Sequence, residues 1–130
     1  MPAPENTHPT SHLADPVGVL DLPTELAQLR EEEPWRRSGR HSKTLIKDAD
    51  LRVVLIALQA GAHLEEHHAP GRITIHALDG HLRVGVAGQA IDLPQGHIVT
   101  IGRAIQHEVE ALEESALLLT LAWPASAQAD

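Results

Sequence analysis

The chain has 130 residues, enough for one domain with its own core. It contains no cysteine, which removes disulfides and thiolate metal sites. Acidic residues outnumber basic ones 18 to 10, for a formal net charge of −8, and such a surface argues against nucleic acid as the main partner. There is no Phe or Tyr and there are only two Trp, so stacking platforms for bases are nearly absent and the core must be aliphatic.

Residues 1–20 carry Pro2, Pro4, Pro9 and Pro16 among polar residues and read as a disordered or extended segment. They show neither the basic start nor the apolar run of a signal peptide, and the best apolar run of the chain, 116–123, is strand-sized rather than membrane-spanning. A soluble cytoplasmic protein with no membrane partner is expected.

Residues 21–41 read as a helix and linker. Asp21 offers an N-cap, Pro23 sits in the first turn, and Leu22, Leu26 and Leu29 recur at helical spacing. The helix should stop before Pro34. The basic residues Arg30, Arg36, Arg37 and Arg40 should pair with Glu31–Glu33.

From 42 to 124 the pattern turns to short β-type runs, followed by a tail at 125–130. Strands are predicted at Lys43–Lys47, Leu51–Gln59, Arg72–Leu78, His81–Val86, Ala90–Leu93, His97–Ile101, His107–Ala111 and Ala116–Trp123. Asp79-Gly80 reads as a two-residue hairpin turn with positive φ at both positions. Many short strands with regular turns indicate an all-β sandwich or barrel. The run 116–123 is apolar on both faces, so its outer face should be covered by the N-terminal helix or by a second subunit.

Four histidines, His63, His67, His68 and His76, fall between Gly61 and Gly80, and His107 follows after a second glycine-punctuated block. Imidazoles gathered at sheet turns can hold zinc, iron, nickel or copper. If 63–69 is extended, pleat alternation puts His63, Glu65, His67 and Ala69 on one face. His68 should point away from His67 unless a bulge near Pro70 re-aims it. His76 lies opposite Ile73 and Ile75 and should face outward.

Over about residues 45–123 this arrangement resembles a small single-domain cupin, a double-stranded β-helix of jelly-roll type. Gly61, His67 and Gly80 match the family's first motif, with Ala69 in the place of its second histidine and Ile73 in the place of its glutamate. Gly96 and His107 match the second motif, with Gly102, Ala104 and Ala111 replacing its proline, glycine and asparagine. The resemblance implies a jelly-roll barrel with a short N-terminal helix and a ligand pocket at His67, Ile73, Ile75 and His107.

Two functional readings are open. One is a small-molecule binding or sensory protein with an aliphatic, His-lined pocket and no metal. The other is a metal-dependent oxygenase, isomerase or lyase, holding one divalent transition metal (Zn, Fe, Ni or Mn) through His67 and His107, with His63 or Glu65 completing the set. A homodimer is expected, in which the β-capable segment 38–47 adds to the partner's sheet to cover open strand edges.

Overall fold

The structure, a computed structural model, describes residues 16–122 apart from His68; the side chains of Glu66 and His67 also lie outside the described residues. The expectations for residues 1–15, His68, Trp123 and the C-terminal tail fall outside that range.

Helix α1 runs Leu22–Glu31. Asp21 caps it as predicted, its carboxylate accepting the Thr24 backbone N–H at 3.2 Å, with Pro23 in the first turn. The chain does break before Pro34, but Pro34 then begins a second short helix, α2 (Glu33–Ser38), where its missing N–H is harmless. Gly39, at φ 82, ends α2 in the left-handed conformation. Of the arginines expected to pair with Glu31–Glu33, Arg37 does so with Glu33 at 3.3 Å. Arg30 instead bridges Asp79 and Glu114, at 3.2 Å each.

Among the described residues nine strands follow: β1 (Arg40–Lys47), β2 (Leu51–Leu58), β3 (His63–His67), β4 (Arg72–Asp79), β5 (His81–Val86), β6 (Gln89–Pro94), β7 (Ile98–Ile101), β8 (His107–Ala111) and β9 (Ser115–Ala122). They form two antiparallel sheets, one ordered β1-β2-β9-β4-β7 and the other β3-β8-β5-β6. After β2 the chain passes back and forth between the sheets, which is the path of a jelly roll.

This path corrects the expected hairpin at Asp79-Gly80. β4 and β5 belong to different sheets, so Gly80, at φ 80, is a corner between sheets. The two-residue hairpin lies at Ala87-Gly88, between β5 and β6, with both residues at positive φ (51 and 80). Residues 40–47 of the segment expected to add to a partner's sheet form the edge strand β1 of this chain's five-stranded sheet, paired with β2 on one side.

Alternation sorts the side chains as expected for half-buried strands. Ile73, Ile75 and Ala77 of β4, Leu82 and Val84 of β5, and Leu117 of β9 point between the sheets and form the main core. A second cluster lies on the outer side of the five-stranded sheet, where Leu29 of α1 covers Leu45, Leu55 and Ala57, with Leu118 against its edge. The helix therefore covers part of the outer face of β9, as one of the two expected alternatives.

Candidate functional site

The two ends of the jelly roll differ. At one end the inward residues Leu58, Ala77, Leu82, Leu93, Ala111 and Leu117 are at most 3% exposed. Toward the other, the inward residues Val54, Val86, Leu119 and Leu121 are only partly buried, although Ile73 and Ile101, level with Leu121, are covered. That end is a mouth ringed by aliphatic side chains, reached by the first residues of β2 and β4 and the last residues of β3, β5 and β9.

His107 sits there on the inner side of β8. It is 2% exposed and stands in register with Val86 on β5 and with His67 on β3. Its Nδ1–H donates to the carbonyl of Ile105 at 3.1 Å. A carbonyl can only accept, so this bond puts a proton on Nδ1. The register brings His67 and His107 opposite one another in the ladder.

The face assigned to His63 by alternation is corrected by a bulge. Between Leu64 and His67 the β3–β8 register shifts, so strict alternation fails across Glu65 and Glu66. His63 pairs with Glu110, on the outward side of β8, and its ring nitrogen lies 4.0 Å from that carboxylate. Its side chain is 62% exposed, and it lines a groove of about 400 Å³ on the outer face of the four-stranded sheet together with Arg83, Gly85 and Glu108. His76 faces outward, as expected, between Leu118 and Ile98.

Ile73 and Ile75 are inward, at 2% and 1% exposure, in register with Ile101 and Val99. They stand level with Leu121 and Leu119 of the mouth and are the covered part of its wall. With Ile73 in that place, β4 offers no carboxylate to the interior. Among the described residues no three His, Asp or Glu side chains stand close enough to share a metal ion. The described donors alone therefore do not make the three-ligand set that a bound transition metal ordinarily uses.

One residue of the mouth was missed by the histidine-centred reading. Arg52 lies two residues before Val54 on the inner side of β2, in register with Leu121 on β9. Its Nε is buried and has no hydrogen-bond partner. The signal was present in the sequence: Arg52, Val54, Ile56 and Leu58 alternate as one face of a strand, and a lone cation heads an otherwise aliphatic row.

No protein-family model matches the sequence, and no curated protein does. Solved structures do match. A cupin superfamily protein from Desulfitobacterium hafniense superposes with TM-score 0.68 at 17% identity, over 87% of this chain and 96% of that one. A conserved protein of unknown function from Streptococcus pyogenes matches with TM-score 0.66 at 23% identity, over 86% and 92% of the two chains. Salicylate 1,2-dioxygenase from Pseudoaminobacter salicylatoxidans, in a structure with gentisate, matches with TM-score 0.73 at 15% identity over 85% of this chain, which spans only 34% of that enzyme. No helix among the described residues is long and apolar enough to cross a membrane. By strand order and by these superpositions, the chain has the fold of a small cupin-type domain.

Proposed function

We propose that this domain binds a small, largely apolar molecule in the mouth between its sheets, in the cytoplasm and without a metal. The observation that carries this reading is the contrast in burial between the two ends. The inward aliphatic residues are fully covered at one end and partly open at the other, where His107 and Arg52 supply the polar groups. An apolar concavity with a few convergent polar groups is the ordinary form of a small-molecule site. The aliphatic Ile73 supports binding rather than metal chemistry.

The test is a ligand-observed NMR screen of apolar fragments against chelator-treated protein, with backbone shifts mapped on the labelled chain. Hits should perturb Val54, Val86, His107 and Leu119, and should be lost when Leu119→Trp fills the mouth. Hits that survive that substitution, or no hits at all, would reject the reading.

The register of His67 with His107 favours a second reading, in which the pair contributes to a metal site. Metal content of protein purified without a histidine tag decides between them. A stoichiometric transition metal that disappears in the His67→Ala, His107→Ala double variant would put the metal reading first. We also propose a homodimer, because β1 and β7 leave one sheet with open edges and Val17 and Val19 stand 79% and 84% exposed before α1. Light scattering should give twice the monomer mass of 14.1 kDa.

A further inference from the structure

We propose that Arg52, with Lys47 beside it, is an anion receptor at the mouth, so that the ligand is a carboxylate carrying an apolar body. This inference rests on the mouth being the binding site and adds the chemical class of what enters it.

Two unfavourable features coincide at this point. The Arg52 Nε–H is buried without an acceptor, and a buried donor that makes no hydrogen bond is destabilising. Lys47 is the cross-strand partner of Arg52 in the β1–β2 ladder, and like charges directly opposite one another repel. Neither cation makes an ion pair among the described residues, although the chain carries 18 acidic side chains. The carboxylates nearest in the chain are Asp48 and Asp50, in the turn between the two strands. Asp48 turns back to accept the backbone N–H of Ala49 at 2.7 Å, and neither aspartate pairs with Lys47 or Arg52.

Other orphaned donors differ in kind. The Nε of Arg30 makes no hydrogen bond but lies 3.2 Å from the Glu114 carboxylate, so its charge is compensated. Trp35 Nε1 is neutral and packs under the helices, away from the mouth. Among the described residues, only at Arg52 does an unpaired buried donor belong to an uncompensated cation on the face that lines an apolar opening. A bound anion removes both penalties at once. A guanidinium presents its N–H groups in a fork that matches a carboxylate or a phosphate. One guanidinium and one ammonium above a ring of aliphatic side chains suit a monoanionic head on an apolar tail better than a free phosphate.

The proposal is tested by NMR titration of chelator-treated protein with hexanoate, hexanol and inorganic phosphate, following mouth amides and the Arg52 Nε–H resonance. Hexanoate should shift both sets of signals and bind about tenfold or more tightly than hexanol, the range expected for a hydrogen bond to a charged group. Arg52→Gln should erase that preference. Arg72→Gln should keep it, because Arg72 stands at the same end but bonds Thr100 at 3.0 Å on the outer side. If hexanol binds in the mouth as well as hexanoate does, or if Arg52→Gln leaves the preference intact, the anion receptor is overturned while the apolar mouth stands. Phosphate binding through Arg52 with no gain from the hexanoate tail overturns the carboxylate assignment. If none of the three binds, both the receptor and the mouth reading fall.

Discussion

The two ends of the jelly roll are built from the same nine strands and follow opposite rules. At the packed end the inward side chains of β2, β4, β5, β6, β8 and β9 are covered. Ser115, fully buried, accepts the His81 backbone N–H at 3.0 Å and donates to the Glu113 carbonyl at 2.7 Å. The Gly61 N–H donates to the Ala111 carbonyl and the Ala111 N–H to the Ala62 carbonyl, and Arg30 ties α1 to Asp79 and Glu114. At the mouth the aliphatic ring is half open, and Arg52 Nε has no partner. Stability is concentrated at one end, and unsatisfied binding capacity at the other.

The sharpest way to break this comparison is at Gly80. A Cβ there would lie 2.2 Å from the Glu114 carbonyl oxygen and 2.3 Å from Ser115 Oγ, at φ +80. Both the left-handed backbone and the clash with main chain oppose any side chain, so Gly80→Ala should lower stability by about 3 kcal/mol or more. Urea denaturation measures it. A loss near zero would mean that the corner relaxes easily and that the packed end is not rigid.

The next test applies one substitution to both ends. Leu82→Ala empties a site with 0% exposure and should cost about 3 kcal/mol, within the usual range for a buried leucine. Leu119→Ala removes a side chain that already borders solvent and should cost about 1 kcal/mol. Equal losses in chemical denaturation would erase the distinction between the ends.

Arg52 gives the comparison its opposite sign. Arg52→Met keeps the long apolar stem and removes the orphaned donor and the repulsion with Lys47, so the ligand-free protein should gain about 1 kcal/mol. Removing Arg30 by the same substitution should destabilise, because it leaves Asp79 and Glu114 without their cation. Differential scanning calorimetry of the two variants should show melting temperatures moving in opposite directions. A loss for both would show that Arg52 is structural.

Much of this fold was legible from alternation and turn residues. The limits of β5 and β8 were read to the residue, and those of most other strands to within a few, because inward and outward side chains alternate along each. The sequence did not reveal β3 as a strand, since His63, Glu65, Glu66 and His67 carry little apolar signal, and the bulge after Leu64 breaks the alternation that would have announced it. The same bulge sent His63 to the outer face. The Asp79-Gly80 error has a different source: a glycine at positive φ signals a sharp turn, but local sequence does not say whether the chain returns to the same sheet or crosses to the other. The candidate site was half visible. His107 stood out by residue type, whereas Arg52 was hidden because its significance lies in what does not surround it.

The smallest expected effect lies at the hairpin between β5 and β6. Ala87 has φ 51 in a two-residue turn whose geometry suits glycine or asparagine, and Val86 and Gln89 pair directly across it. An L-residue in the left-handed region is strained by about 1–2 kcal/mol, which Ala87→Gly relieves. The extra freedom of glycine in the unfolded chain cancels part of that gain, leaving about 0.5 kcal/mol of net stabilisation. Ala87→Asn should act in the same direction with less entropic loss. Because Val86 is also an inward residue of the mouth, a firmer turn should hold that side of the ring more rigidly. The calorimetric gain should therefore be accompanied by slower amide exchange at Val86 and Gln89, with no change at Leu58 or Ser115. A lower melting temperature for Ala87→Gly would show that the alanine methyl makes a contact worth more than its backbone strain.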